Sequence, residues 1–431
     1  MYSNTQLKGK KLLILGGSKK MEVIVNKAKE LGIFTIVVDK YSVQQSPAKL
    51  FADKHFSIDF SHYDEIKKLI QEEKIDGVMT GFSDNDLSKY LKICSDNNLP
   101  CYIDSHTLGI ATDKNKFKAA CIKSGVPVIP GIAAENYEQA EKFAEKTGYP
   151  LMVKPSDNSG SRGVIKCNSK DEFKKCYDYA LSYSANGIVI VEKYMSCDNI
   201  AVSYFAADGE IRLSTTDDRK MYVSPVSGSS YSCYSEYPSI YTKRYIDEVN
   251  SLVIRMLEDN GFKNGMIMFQ AFVDRNSFYF CEMCYRLSGG QHYRLVEMQN
   301  GIDQLALELE FAVTGKFAHN WEKYKETPYF PKNCANLRVL GIPDKKIGKI
   351  EGFSEVALKQ NVLKSDAEKQ AGATVGKEGT LAQALGTIQY VFDSNGDRYA
   401  AAKELFDCLT ITDEKGENIA WFTLGSNAAK K

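Results

Sequence analysis

The stretch 265–290 carries the clearest candidates for chemistry in this chain. Its apolar runs 267–273 and 278–283 are joined by a polar turn, which predicts a β-hairpin. Gln270 interrupts the first run and Glu282 the second, and a buried carboxylate without a partner is costly. A metal ion and an ion pair with Arg286 would each explain Glu282, and the hairpin alone leaves both explanations open.

A second candidate is a lysine followed by a Ser/Gly-rich loop. Lys154 ends an apolar strand predicted over 151–155, and the loop spans 156–163. Backbone N–H groups of such a loop can close over phosphates, and its candidate residues are Ser159, Gly160, Ser161 and Gly163. The P-loop pattern GxxxxGK[ST] is absent, so a phosphate-binding loop and a mobile surface turn both remain open.

Two further features are weaker when taken alone. Lys114 and Lys116 open a helix predicted over 113–124, with Asp113 as its N-cap, and such lysines usually form a solvated face. An apolar strand over 187–191 runs into Glu192, and the backbone beyond it could pair with an adenine edge.

Composition limits the function classes. The 431 residues contain 55 Lys+Arg and 55 Asp+Glu, so charge gives no general case for binding nucleic acid or an anionic membrane. The 11 cysteines lack regular spacing, which favours a reducing compartment, and the single CxxC, Cys281 to Cys284, predicts separate thiols rather than a zinc site. The apolar run 12–15 is too short for a signal peptide and no run approaches membrane-spanning length, so we expect a cytoplasmic protein.

The elements around these residues suggest several domains. Alternating strands and helices over about 12–103 predict a parallel, doubly wound sheet. There, Gly16 and Gly17 with Asp39 suggest NAD binding, but Met21 stands where the third glycine belongs. A hairpin is predicted over 200–216, an irregular Ser/Tyr-rich cover or substrate wall over 217–241, and a small α+β region beyond 331.

Together, these features resemble the ATP-grasp superfamily, in the style of carbamoyl-phosphate synthase large-chain halves and biotin carboxylase. The chain has the lysine-bearing helix start, strand lysine with loop, Glu-Lys linker and Gln…Glu…Arg hairpin in the same order. The resemblance implies an α/β and α+β fold with a Rossmann-like pre-ATP-grasp domain at 1–104. It also implies a two-lobed ATP-grasp domain at 105–330, with lobes at about 124–195 and 196–330, and a C-terminal α+β domain at 331–431.

The resemblance also implies roles for particular residues. ATP phosphates would be contacted by Lys114, Lys116, Lys154 and the loop with Ser159, Gly160, Ser161 and Gly163. Adenine and ribose would be held by Glu192, the backbone of Lys193 and Met195, and Asn199. Magnesium would be bound by Gln270 and Glu282, while Arg286 steadies the developing phosphate charge. The substrate site would lie near Ser288, Gly289, Gly290, His292 and Arg294, with His292 as a base or as a wall residue.

The implied activity is ligation. A small-molecule carboxylate would attack ATP to give an acyl phosphate and ADP, and an amine or other nucleophile would displace phosphate. The cofactors would be ATP and one or two Mg²⁺ ions, for which Mn²⁺ could substitute. Neither nucleic acid nor membrane is an expected partner, and a homodimer is compatible with the family.

Two departures from the family pattern keep alternatives open. Gln270 replaces a carboxylate, and Cys284-Tyr285 stands where the family has Asn-Pro. A neutral thiol is a poor Mg²⁺ ligand, so a second ion would be weakly bound or absent. The alternatives are a catalytically impaired ATP-binding protein of the same fold, a bicarbonate-using carboxylase and an NAD-dependent oxidoreductase.

Overall fold

The computed structural model describes residues 6–158, 162–224, 230–317, 327–378, 380–393 and 398–424. Within these residues the strands form four sheets, of which the largest has nine strands. The mixed α/β and α+β fold predicted from the sequence is confirmed.

The N-terminal region is a parallel sheet with helices. Its elements are β1 (Lys11–Leu15), α1 (Glu22–Glu30), β2 (Phe34–Val38), β3 (Lys54–Phe56), α2 (Tyr63–Glu73), β4 (Gly77–Thr80) and α3 (Leu87–Asp96). The strand order is β3-β2-β1-β4, and every pairing is parallel. Nearly every residue of β1, β2 and β4 is buried, which explains their continuous apolar runs.

A small antiparallel sheet follows two connecting helices. The elements are α4 (Ser105–Thr112), α5 (Lys114–Lys123), β5 (Gly131–Ala134), α6 (Tyr137–Thr147), β6 (Leu151–Pro155), β7 (Ile165–Cys167), α7 (Lys170–Leu181) and β8 (Val189–Lys193). The strands run in the order β5-β8-β6-β7, and α6 and α7 share one apolar core with them. As predicted, Asp113 caps α5, because its carboxylate accepts the N–H groups of Asn115 and Lys116.

The rest of the described chain forms the nine-stranded sheet, a two-stranded sheet and the helices beside them. Up to residue 314 the elements are β9 (Asp198–Ala207), β10 (Glu210–Val223), β11 (Ser230–Tyr237), α8 (Thr242–Tyr245), α9 (Ser251–Asp259), β12 (Gly265–Val273), β13 (Phe278–Tyr285), α10 (Tyr293–Asn300) and α11 (Gln304–Thr314). The C-terminal elements are β14 (Asn333–Gly341), β15 (Ile347–Glu351), α12 (Phe353–Ala357), β16 (Val362–Ala367), β17 (Ala384–Phe392), α13 (Arg398–Asp407), β18 (Thr410–Asp413) and β19 (Ala420–Trp421). Of these, β15 and β18 pair with each other in the two-stranded sheet.

This sheet crosses the domain boundary predicted at residue 331. The strand order is β13-β12-β9-β10-β11-β14-β17-β16, with β19 paired to β14. Because β11 pairs with β14, the C-terminal strands extend the same sheet that carries the hairpin of β12 and β13.

The prediction of an irregular segment over 217–241 is wrong. The end of β10 and all of β11 lie there, and they pair with each other in an antiparallel register. The described side chains of β11 are buried at every position, so the strand lacks the alternation of apolar and polar residues that marks a half-exposed strand. Its hydroxyl groups are instead satisfied internally, as between Ser232 and Ser235 at 3.1 Å.

Two predictions made for the whole chain can be compared with the structure. All eleven cysteines are free thiols, including the pair of the CxxC motif. Over the described ranges, no helix combines the length and apolar character needed to cross a membrane. The expected compartment and homodimer stay predictions.

Candidate active site

The predicted hairpin places Gln270 and Glu282 side by side. They face each other in the register of β12 and β13, just beside a β-bulge. Paired residues in an antiparallel sheet project to the same face, so both side chains point to one side. Glu282 lines a cavity of about 90 Å³ together with Asp84 and Lys114.

Arg286 is paired with Asp84, not with Glu282. Its Nε and Nη2 donate to the two carboxylate oxygens of Asp84 at 2.8 and 2.6 Å, and Nη1 donates to the Leu287 carbonyl at 2.9 Å. Glu282 makes no ion pair with any described residue. The Glu–Arg explanation of Glu282 is therefore not what the structure contains, and its carboxylate is available to a cation.

Cys284 follows Glu282 by two residues on β13, so both side chains project to the same face of the strand. Cys284 is the nearer of the two to Arg286 in the sequence. It is buried, and burial raises the pKa of its thiol to about 12. Burial does the same for Cys281, whose sulfur donates to the Gln270 carbonyl at 3.3 Å. Both groups are neutral thiols at pH 7, so neither fits a magnesium ligand.

On the small sheet, Lys154 and Glu192 form a buried ion pair. Lys154 Nζ lies 2.6 Å from Glu192 Oε2, and Lys118 Nζ from α5 lies 2.9 Å from the other oxygen, Oε1. Burial alone would raise the pKa of Glu192, but Lys154 and Lys118 outweigh it and lower that pKa. Gly131 allows this arrangement, because a Cβ there would lie 2.5 Å from Glu192 Cγ. We call Lys118, Lys154 and Glu192 the charge cluster.

The charge cluster changes the expected role of Glu192. Both of its carboxylate oxygens are engaged by lysines, so the predicted contact with adenine would fall to the backbone that follows β8. There the N–H groups of Lys193 and Tyr194 already donate to carbonyls, and Met195 lies partly exposed in the linker to β9.

Lys114 and Lys116 point to different sides of α5. Lys114 points into the cavity and donates to the Asn158 carbonyl at 2.6 Å, at the start of the Ser/Gly loop. Lys116 is exposed and does not line that cavity. Of the two predicted phosphate contacts, the structure brings only Lys114 to the cleft.

The Ser/Gly loop is anchored at both ends. Ser156 donates from its hydroxyl to Asn186 at 3.0 Å, and Asp157 accepts the Asn186 N–H at 2.9 Å. Gly163 has a φ of +73° and packs against Tyr183, so a side chain there would be strained and crowded. Ser159, Gly160 and Ser161 lie outside the described residues.

The remaining predicted residues gather beyond Arg286. Ser288 and His292 are buried, and the Gly290 carbonyl accepts a hydrogen bond from Gln389 at 2.7 Å. Gly289 lies between them, and Arg294 is the last residue of the same segment, 288–294. Burial lowers the pKa of His292 to about 4, so its imidazole is neutral at pH 7.

Three side chains of the site were missed from the sequence. Lys118 belongs to the lysine pattern at 114–118 and could have been predicted from it. Asp84 lies in a turn of the N-terminal region, and no local sequence pattern marks it as a site residue. Arg219 lies inside the segment wrongly predicted as irregular. In the structure it pairs in register with Asn199, the predicted ribose contact, which is buried.

A larger cavity, of about 650 Å³, lies at the carboxyl ends of the parallel strands. Asp39 lines it, but its carboxylate is used to hold the turn by accepting the Gly17 N–H and the Ser46 hydroxyl, both at 2.8 Å. Met21 packs against Gly81, in the space where a dinucleotide fold needs a glycine. These contacts argue against the NAD alternative.

Comparisons with known proteins bear on the ATP-binding segment and on the fold. Residues 113–201 match the family model described as carbamoyl-phosphate synthase L chain, ATP binding domain. A carbamoyl phosphate synthase large chain from Saccharolobus islandicus is 34% identical over 176 residues, which cover 39% of this chain and 16% of that protein. The match therefore spans a small part of that relative's length.

Solved structures match over nearly the whole chain. Phosphoribosylglycinamide synthetase from Anaerococcus prevotii has a TM-score of 0.74 at 18% identity and covers 94% of this chain and 100% of its own. A biotin carboxylase–β,γ-ATP complex from Campylobacter jejuni has a TM-score of 0.74 at 21% identity and covers 95% and 93%. The fold is thus that of ATP-grasp proteins. Residues 113–201 also match the carbamoyl-phosphate synthase type of ATP-binding domain, so this segment and the fold of the whole chain agree with the resemblance found in the sequence.

Proposed function

We propose that this chain is an ATP- and Mg²⁺-dependent ligase that activates a small-molecule carboxylate for attack by an amine or another nucleophile. The observation that carries the proposal is that side chains from distant parts of the sequence meet at one cavity. Lys114, Asn158 and Glu282 come from three distant stretches and line one cavity, and Arg286 lies beside it on Asp84. The fold of ATP-grasp proteins supports the same conclusion.

The residues fit one magnesium ion. Glu282 offers a carboxylate without an ion pair among the described residues, and Gln270 beside it offers an amide oxygen, both hard ligands of the kind Mg²⁺ prefers. When bound with ATP, the ion would neutralise phosphate charge. The neutral thiol of Cys284 does not fit a second ion.

The chain's own residues would position the reaction. Lys114 and Lys154 would hold the phosphates, the latter fixed by Glu192. A substrate carboxylate oxygen attacks the γ-phosphorus, and the bond to the β,γ-bridging oxygen breaks to release ADP. Arg286 would stabilise the charge that develops on the transferred group. An amine nitrogen then attacks the acyl carbon, phosphate leaves, and the nitrogen loses a proton to water.

The test is phosphate and ADP release with ATP, Mg²⁺ and a panel of carboxylic acids and amines. We expect release that requires both an acid and the metal, and a loss of at least about a hundredfold in Glu282→Ala. Glu258→Ala, at an exposed site on α9, is the control. Full turnover in Glu282→Ala would refute the site, and ATP binding without release for any panel member would refute the function.

Cys284 and Gln270 favour one second candidate, an ATP-binding protein of the same fold without catalysis. ATP binding that does not depend on Glu282 would support it. Dependence of ADP release on bicarbonate would instead indicate a carboxylase, as the likeness to biotin carboxylase allows.

A further inference from the structure

A group of side chains that can bind a metal lies beside the small antiparallel sheet. It consists of Cys167, Glu172 and Cys176, and we call it the thiol–carboxylate group. The two sulfurs and a carboxylate oxygen all lie within 4.8 Å of one another. Over the described ranges, no other three Cys, His, Asp or Glu side chains meet this closely. None of the three residues lines the cavity that contains Glu282.

The spacing of the three residues in the sequence brings them together locally. Cys167 is the last residue of β7, and α7 begins three residues later and packs on that strand. Glu172 and Cys176 stand four residues apart on α7, so their side chains lie on one face of the helix. The Cys167 thiol donates to the Ser169 carbonyl at 3.2 Å, which holds its sulfur beside the start of the helix.

The exposure of the three side chains suits an ion that enters from solvent. Cys167 and Cys176 are 0% and 3% exposed, and their thiols share a hydrogen bond. Glu172 is half-buried, and the segment 168–171 beside it is exposed. One carboxylate oxygen of Glu172 accepts the N–H of Asn168. The carboxylate therefore gives the buried thiol pair a polar side that is open to water.

The carboxylate of Glu172 is the member of the group that needs an explanation. The two thiols belong to the apolar core of the small sheet, where a free cysteine packs as a small apolar side chain. A half-buried carboxylate beside that core calls for a cation. The neighbouring lysines pair elsewhere, since Lys170 lies 2.7 Å from Glu145 and Lys174 lies 2.6 Å from Asp178. No described lysine or arginine forms an ion pair with Glu172.

The three ligands favour zinc over other ions. Thiolates select soft or borderline metals, whereas Mg²⁺ prefers oxygen ligands, so two sulfurs with one carboxylate fit Zn²⁺. Zn–S bonds of about 2.3 Å and Zn–O bonds of about 2.0–2.2 Å separate neighbouring ligand atoms by about 3.5–3.8 Å around a tetrahedral ion. From the observed limit of 4.8 Å, the ligand atoms would have to approach by no more than about 1.3 Å.

We propose that Cys167, Glu172 and Cys176 bind one Zn²⁺ ion, with a water molecule as its fourth ligand. Two Zn–S bonds and one Zn–O bond form, and the two thiol protons pass to solvent. The ion joins the end of β7 to α7. Because only three ligands come from the protein, the ion is exchangeable, unlike one in a closed four-ligand site. This site is independent of the proposed ligase function.

Zinc binding is tested with the full-length protein, freed of metal by a chelator and kept reduced by a phosphine. Zn²⁺ is titrated without ATP, in competition with a chromophoric chelator. We expect the tightest step to take up one ion, and to weaken about tenfold in Glu172→Gln and about a hundredfold in Cys176→Ser. Asp171→Asn, at the exposed neighbouring position, is the matched control and should change the affinity less than about twofold.

Thermal unfolding gives a second measurement that needs no cysteine variant. Zn²⁺ binds the folded site and should raise the Tm of the unaltered protein. The rise should be smaller in Glu172→Gln, a conservative change at a half-buried position, and unchanged in Asp171→Asn. An equal rise in all three proteins would show that zinc binds elsewhere and would overturn the proposal.

Cadmium identifies which sulfurs bind the ion. Cd²⁺ replaces Zn²⁺ on thiolates, and the intensity of its ultraviolet charge-transfer absorption reports the number of bound sulfurs. We expect the absorption at the first equivalent to fall by about half in Cys176→Ser, which removes one of two thiolates. The comparison is the double variant Cys281→Ser/Cys284→Ser, which should keep the full absorption. Loss in the double variant but not in Cys176→Ser would place the ion at the CxxC motif and overturn the proposal.

Glu282→Ala separates this site from the candidate active site. Zinc affinity that is unchanged in Glu282→Ala and weakened in Glu172→Gln would support the proposal, whether or not the protein is a ligase. Zinc affinity that depends on Glu282 and not on Glu172 would overturn it. So would a reduced protein that binds no zinc, including one in which air oxidation joins Cys167 and Cys176 in a disulfide.

Discussion

The charge cluster and the amide side chains of Asn336 and Gln389 differ in how their polar groups are paired. In the cluster, each oxygen of Glu192 meets a lysine, at 2.6 and 2.9 Å. Asn336 on β14 and Gln389 on β17 are buried register partners, but their amide oxygens meet no donor among the described residues.

The difference indicates that the two regions have different properties toward a ligand. A matched cluster has little left to offer a ligand except its net positive charge and a fixed Lys154, which suits phosphate. Unmatched amide oxygens cost stability, because a buried acceptor without a donor loses its hydrogen bonds to water. The predictions below alter the pairing on each side, from the largest expected effect to the smallest.

Breaking the cluster should cost the most stability. Glu192→Gln leaves the buried Lys154 and the half-buried Lys118 close to each other without a counter-charge. We expect the free energy of unfolding, measured with urea, to fall by about 3–5 kcal/mol. Adding Lys154→Met to Glu192→Gln should recover part of the loss, and a double variant as unstable as the single one would contradict the pairing.

Glu308 shows what a buried carboxylate does without a lysine. Burial raises its pKa to about 8, opposed only by a hydrogen bond from the Met266 N–H. Between its ordinary pKa of about 4.3 and 8, the folded protein holds a proton that the unfolded chain has released, so stability falls as pH rises. From pH 5 to 8 this loss should be on the order of 3 kcal/mol.

Glu308→Gln should remove that part of the pH dependence, which urea unfolding at several pH values can measure. Exposed Glu258→Gln is the control. If the two variants depend on pH in the same way, Glu308 is ionised in the folded protein.

The Arg286–Asp84 pair is a further matched pair, in which a largely buried arginine meets an aspartate from the N-terminal region. Asp84→Asn keeps hydrogen-bond acceptance but removes the charge that orients Arg286. We expect kcat to fall about 10- to 100-fold while the KM for ATP changes less than about threefold. Exposed Asp96→Asn serves as the comparison, and a rise confined to KM would count against a positioning role.

The smallest effects should come from the two lysines at the start of α5. Lys114→Met removes the side chain that reaches Asn158 in the cleft and should raise the KM for ATP about tenfold. Lys116→Met alters an exposed side chain and should change it less than about twofold. Steady-state kinetics with varied ATP distinguishes them, and equal effects would argue against the placement of Lys114.

Local patterns were enough to predict several elements that carry the candidate site residues. The apolar runs around Gln270 and Glu282 predicted their hairpin, and Asp113 predicted the start of α5 that presents Lys114. The strand lysine Lys154 was likewise found in its loop context. These features depend on neighbours within a few residues, whose spacing fixes the local backbone.

The pairing of these residues could not be predicted in the same way. Arg286 meets Asp84 across 202 positions of sequence, and Asn336 on β14 pairs with Gln389 on β17. Arg219 was hidden because buried polar strands have no alternating pattern. The sequence by itself thus determined the fold class and the local elements that carry the candidate residues, because local spacing encodes such elements. Only the tertiary structure decided which charges are matched and which amide oxygens are left open, because strand order and register bring distant residues together.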